Sequence, residues 1–273
     1  MKKIRFAEKP DWDNFQLLSE LEGWRVPEVE RQLFKDSWAP FARVMEHGKT
    51  FCGLVTSVAY PRSGWIGNLI VPGELRGQGY GRQLFDAALS ALQAQMLESV
   101  WLTASDMGRP IYEKAGFVLV DVVERWISGM RVPCGPADDP VSDALQQLRA
   151  ADLAAWGEDR SILLDALCLR GHVFACDDSV ALLQHEPGLQ IVGPWYSPSG
   201  CPRANRLLLQ KILTASDPHV EIVVDVLASS PVRQLLAAAG FACAGKNLLM
   251  VLGEAGHVRR DMMVSLASLG SIG

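Results

Sequence analysis

Residues 76–82 read Arg-Gly-Gln-Gly-Tyr-Gly-Arg, a spacing of residue types suited to the capture of a phosphate. Three alternating glycines let the backbone enter conformations closed to other residues and keep Cβ atoms out of the turn, so that several N–H groups can point at one anion. Arg76 and Arg82 bracket the turn with fixed positive charge, which fits a diphosphate better than a neutral ligand. The bland reading of the same glycines is a tight connection over packed side chains. Two nucleotide patterns do not apply. No Lys-Ser or Lys-Thr follows the last glycine, and the spacing of Gly77, Gly79 and Gly81 is not GxGxxG.

Such a turn needs rigid elements on both sides. Upstream, Trp65, Ile66, Leu69, Ile70 and Val71 predict an apolar strand, and downstream Leu84, Phe85, Ala88, Leu89 and Leu92 place one apolar stripe on a helix. The positive end of that helix dipole meets the same anion. Residues 101–117, WLTASDMGRPIYEKAGF, predict a second short strand and a helix that carries Tyr112 and ends at Gly116. Taken alone, Tyr112 reads as a half-buried helix aromatic.

The strand, the Arg76, Gly79, Gly81 loop and the helix resemble the acyl-CoA pyrophosphate loop of the GNAT (GCN5-related) N-acetyltransferases. Residues 101–117 resemble that family's next block, in which a strand end splays from its neighbour and a short helix carries a tyrosine before Gly-Phe. The resemblance implies an α/β fold, a mixed sheet flanked by helices, and acetyl-CoA as cosubstrate without a metal. Its implied binding set is Leu69, Ile70 and Val71 along the strand, Arg76, Gly77, Gln78, Gly79, Tyr80, Gly81 and Arg82 in the loop, and Ser105. Ser105 stands where the family often has asparagine. By the same resemblance, a backbone N–H near residues 69–71 stabilises the carbonyl oxygen, and Tyr112 protonates the leaving thiolate. The strand at 65–71 carries no carboxylate or histidine to serve as a general base, and a water relayed to Glu22 is one route.

The chain repeats itself. GWIGNLIVPGELRGQGYGRQLF answers to LQIVGPWYSPSGCPRANRLLLQ, with Gly67 against Gly193 and Pro72 against Pro198, and the AGF at 115–117 answers to the AGF at 239–241. Two GNAT folds in tandem are expected: a catalytic domain at residues 1–131, a Pro-rich linker at 132–140, and a degenerate second domain at 141–273. The second loop, GCPRANR, has lost the glycines, and Leu236 stands where the first copy has Tyr112, so one working site is expected.

Three strings narrow the resemblance to the two-domain bacterial group: EGW at 22–24, WGEDRSILLDAL at 156–167 and VGPWY at 192–196. In such proteins the connection between the first two helices lies beside the acceptor. The resemblance therefore assigns Glu22 to a substrate ammonium and Trp24 to an apolar or cation–π wall. Their bland readings are a solvated helix-end carboxylate and a core tryptophan.

Composition agrees with a soluble, cytoplasmic enzyme. The net charge of −5 is spread without a basic or acidic block, which recommends neither a nucleic acid nor a membrane partner. No signal-like leader or run of eighteen apolar residues occurs, and the six cysteines show no CxxC spacing, so buried or partly buried thiols are expected. The five histidines fall in segments typical of surface loops and show no metal-ligand spacing. The expected reaction is transfer of acetyl from acetyl-CoA to a primary amine, small or amino-acid-like, by direct attack in a ternary complex. The alternative is a non-catalytic protein, either acyl-CoA-responsive in its binding or recognising a partner. Neither the acceptor nor the oligomeric state is legible.

Overall fold

The computed structural model describes residues 2–129 and 143–273, so the expected linker at 132–140 lies outside the described residues. The first half runs β1 (Lys2–Phe6), α1 (Lys9–Leu21), α2 (Glu28–Lys35), β2 (Ala42–His47), β3 (Thr50–Ala59), β4 (Ser63–Ile70), α3 (Tyr80–Gln93), β5 (Ser99–Ala104), α4 (Arg109–Lys114) and β6 (Val118–Ser128). The second runs α5 (Ala144–Trp156), α6 (Ser161–Cys168), β7 (Gly171–Cys176), β8 (Ser179–Glu186), β9 (Leu189–Tyr196), α7 (Pro202–Ala215), β10 (Glu221–Leu227), α8 (Val232–Ala238), β11 (Ala242–Gly253) and β12 (Met263–Ser265). From α1 to β6 and from α5 to β11 the order of elements is the same, in keeping with the paired strings.

Local chemistry explains the elements. Pro10 sits in the first turn of α1, and the Asp11 carboxylate accepts the Glu8 N–H at 2.7 Å, closing the helix start. The predicted stripe of α3 is buried at Leu84, Phe85, Ala88, Leu89 and Leu92. Strand β9 is buried at every position because helices or chain cover both faces of the sheet, and it reads accordingly as a nearly continuous apolar run. Among the described residues no helix is long and apolar enough to cross a membrane.

All twelve strands of the described residues join one mixed sheet in the order β1-β2-β3-β4-β5-β11-β6-β10-β12-β9-β8-β7. The halves exchange strands. The second half's β11 pairs antiparallel with β5, from Leu248 opposite Ala104 to Gly253 opposite Ser99. The first half's β6 pairs antiparallel with β10, from Ile222 opposite Ser128 to Leu227 opposite Val123. Each long strand therefore completes the other half.

Each half also contains one parallel pair that opens. Strands β4 and β5 pair from Ser63 opposite Ser99 to Ile66 opposite Leu102, and then separate. Strands β9 and β10 pair only from Leu189 to Ile191, and β12 fills the gap beyond, with Ser265 opposite both Trp195 and Val226. The chain after β12 then crosses to the first half. The Leu266 carbonyl passes so close to Gly193 that a Cβ there would lie 2.0 Å away, and the Ser271 carbonyl passes Gly67 at 2.4 Å from its would-be Cβ. The glycines paired by the repeat are thus two places where this tail crowds the sheet backbone.

The strings at 156–167 and 192–196 meet at the seam between the halves. Trp156 packs edge-on against Trp65 and Trp101, at 6.2 and 5.8 Å between ring centroids. Behind it, Arg160 donates to both Asp152 oxygens at 3.1 and 2.7 Å, and the Tyr196 hydroxyl donates to Asp152 at 2.6 Å. The Arg160 and Asp152 side chains are 0% and 1% exposed, so neither charge has water to fall back on. Asp152→Ala leaves a buried guanidinium unpaired, and urea denaturation is expected to show about 3–5 kcal/mol less stability. A loss below about 1 kcal/mol would place the pair among energetically idle contacts.

Two expectations are corrected here. His172 and His185 do not lie in surface loops but on the paired strands β7 and β8, with ring nitrogens 3.2 Å apart, and the His257 side chain is largely buried beside Glu98. The described cysteines are free thiols, of which Cys243 is exposed rather than buried.

Candidate functional site

The opening between β4 and β5 continues into the glycine turn. Beyond Ile66 the β4 backbone has lost its β5 partner, and a one-residue bulge against β3, between Gly67 and Ile70, re-aims it. Leu69, Ile70 and Val71 then line a cleft of about 530 Å³. The turn that follows places Gly77 at φ 77° and Gly79, the residue that starts α3, at φ 81°, both in the left-handed region. A Cβ at Gly77 would meet nothing within 4 Å, so the glycine serves the backbone conformation and leaves open space before the turn.

Arg76, Gly77, Gly79, Tyr80, Gly81 and Arg82 line the same cleft. Tyr80 does so although it is only 3% exposed, with the Lys2 ammonium 4.0 Å from the ring centroid. Gln78 is not among the lining residues, because its amide folds back to donate to the Glu74 carbonyl at 3.1 Å. Arg82 is held by Asp86 one turn along α3 at 2.7 Å. Arg76 donates to the Val71 carbonyl at 3.0 Å and to the Glu22 carboxylate at 2.5 Å.

That last contact gives Glu22 a cation partner in the loop. Glu22 lines the large cleft as the partner of a loop arginine, whereas Trp24, Arg25 and Val26 from the same connection line a second, smaller pocket of about 170 Å³. Four residues border both spaces: Trp24, Leu69, Ser105 and Tyr112. The Ser105 hydroxyl accepts the Gly108 N–H at 3.3 Å, tying down the turn into α4. Gly108 leaves room for Tyr112, whose ring would lie 3.0 Å from a Cβ there, and Phe85 supports that ring edge-on at 5.1 Å between centroids. Burial pushes the Tyr112 hydroxyl up to about 12, so it stays protonated through the neutral range.

The smaller pocket contains residues that pattern reading missed. Arg125 comes from β6 and Asn247 from β11, the two exchanged strands, and Leu269, Gly270 and Ser271 come from the tail. Arg125 is held by both oxygens of Asp225, at 2.8 and 2.7 Å, and by the Leu269 carbonyl at 2.9 Å. Arg125 shares β6 with Asp121 and Glu124, so its charge did not stand out in the sequence, and the tail segment offered no signal. Among the described residues no group of three or more His, Cys, Asp or Glu side chains is arranged to hold a metal.

A mixed α/β sheet with an opened parallel pair, a glycine turn feeding a helix, and a tyrosine at the junction of two clefts defines the GNAT class of fold. The family model described as acetyltransferase (GNAT) domain matches residues 26–131. The uncharacterized N-acetyltransferase YitH of Bacillus subtilis (strain 168) is 35% identical over 107 residues, covering 37% of this chain and 37% of that protein. The match thus spans little more than a third of the relative's length. Among solved structures, a putative acetyltransferase from Pyrococcus horikoshii superposes with a TM-score of 0.81 at 19% identity, over 99% of this chain and 95% of the other. A GCN5-related N-acetyltransferase from Sphaerobacter thermophilus does so with a TM-score of 0.67 at 15% identity, over 92% and 95%. These likenesses extend over both halves and concern the fold.

Proposed function

We propose that the chain transfers acetyl from acetyl-CoA to a primary amine in a ternary complex, at one site in its first half. The observation that carries this reading is the position of Tyr112, bordering both the large cleft and the small pocket. The residues fit the cosubstrate: left-handed glycines leave open space before the start of α3, and two arginines stand at the turn. Arg76 and Arg82 with the N–H groups of the turn would hold the diphosphate, and the edge of residues 67–71 that no longer pairs with β5 would hold the pantetheine as a strand would. Acetyl-CoA supplies a thioester, whose carbonyl is open to direct attack by a neutral amine.

The chain's part is to orient and to move protons. A backbone N–H near residues 69–71 stabilises the carbonyl oxygen, and Tyr112, protonated at neutral pH, gives its proton to the departing sulfur. Trp24 closes the small pocket, which suits a small acceptor. For Arg76 to grip a diphosphate it must share or release Glu22, so cosubstrate binding loosens the connection between α1 and α2. The division into domains at 1–131 and 141–273 belongs to the same proposal, with the second half as a supporting fold. There β12 occupies the gap that corresponds to the open cleft.

Thiol release measured over a panel of amino acids, polyamines and simple alkylamines is the direct test. At least one amine is expected to raise release well above hydrolysis, without a pre-formed acetyl-protein intermediate. A protein that binds acetyl-CoA yet releases no thiol with any amine would be a coenzyme-responsive binding protein instead.

A further inference from the structure

The amine must arrive uncharged at the thioester, and β4 offers no base for the proton. One carboxylate lies directly behind the wall of the small pocket. Glu30, on α2, is 1% exposed, and its two oxygens are taken by residues of that wall: the Asn68 amide donates at 2.7 Å and the Ser271 hydroxyl at 2.5 Å. The arrangement is built rather than incidental. Asn68 is held at φ 51° in the β4 bulge, and Glu186 of β8 accepts the Glu28 N–H at 2.8 Å, fixing the start of α2. The tail that delivers Ser271 is fixed in turn by the Tyr60 hydroxyl on the Ile272 carbonyl at 2.7 Å and by the Thr103 hydroxyl on the Gly270 carbonyl at 2.9 Å. The charged and titratable groups facing Glu30 are Arg31 of its own helix, Glu186 from β8, and Tyr60 beyond β3. Burial dominates, and it raises the carboxyl above the usual carboxylate range.

Resting on the acetyl-transfer reading above, we propose that Glu30, acting through the Ser271 hydroxyl, accepts the proton that the acceptor ammonium loses. An N–H proton passes to Ser271 Oγ as the Ser271 proton passes to Glu30, which frees the nitrogen lone pair. The C–N bond forms at the thioester carbonyl and the C–S bond breaks. Tyr112 gives its proton to sulfur and regains one from the acylated nitrogen, and Glu30 returns its proton to water once the product leaves. Asn68, an amide, holds the carboxylate but cannot relay the proton.

Two small probe amines separate this role from a structural one. Methylamine is an ammonium ion at neutral pH and needs a base, whereas hydroxylamine is largely uncharged there and needs none. With acetyl-CoA and background release subtracted, Glu30→Gln is expected to slow methylamine transfer by about 100-fold and hydroxylamine transfer by no more than about threefold. Ser271→Ala is expected to reproduce the selectivity, and it decides the matter if Glu30→Gln does not fold. Losses equal for both amines, or none, overturn the relay while leaving the transfer reading intact. A wild type that binds acetyl-CoA but acetylates neither amine nor any member of the wider panel overturns both.

Discussion

Gly79→Glu is expected to weaken acetyl-CoA binding by at least about 100-fold in calorimetric titration, equivalent to about 2.7 kcal/mol. Two effects add. The residue starts α3 at φ 81°, where a side chain strains the backbone, and the new carboxylate stands where the diphosphate is expected, at the positive end of the helix. Repulsion between like charges at an intermediate dielectric is itself worth about 4 kcal/mol at contact distance. Gly79→Asn separates the two causes, because asparagine tolerates the left-handed region and carries no charge. It should lose far less affinity. Unaltered binding by a folded Gly79→Glu protein would move the coenzyme away from the turn.

Tyr112→Phe should lower kcat by about 100-fold or more while changing acetyl-CoA affinity by no more than about threefold, as expected of a group used in the transition state. Phenylalanine keeps the packing against Phe85 and Phe117, so the substitution removes little beyond the hydroxyl. The direction of the pH dependence follows from burial. A general acid works while protonated, so its contribution disappears as pH rises through its pKa. With the hydroxyl pushed up to about 12, that falling limb lies above the ordinary tyrosine range. A variant with undiminished kcat would leave the thiolate to be protonated by water.

The legible part of this molecule was the part whose chemistry is local. Residues 76–82 announced their conformation because left-handed turns demand glycine, and the stripe from Leu84 to Leu92 announced α3 because helical spacing is visible in one segment. The repeat announced two copies of one element order. Side-chain partners were less legible. Glu22 was assigned to the acceptor from its place between two helices, but its closest cation, Arg76, lies more than fifty residues away in sequence, and no periodicity encodes that pairing. Glu30 passed unnoticed for a related reason. In EVERQLF it looks like one more solvated helix charge, and only the chain around Ser271, folding back over α2, makes it a buried carboxylate. The exchange of β6 and β11 was hidden too, since a strand carries the same alternation whichever neighbour it joins.

That exchange has a consequence for the protein's birth on the ribosome. Strand β5 must wait for residues 242–253, which lie far downstream of it in the chain, before its outer edge is paired. Until then the nascent first half presents an apolar strand with open N–H and C=O groups, a template for any neighbouring chain. Local pieces such as α3 against β3 can form early, but closing the sheet waits on contacts between distant parts of the chain. The topology therefore predicts that a first half made alone aggregates, and that making the second half alongside it as a separate polypeptide returns it to solution.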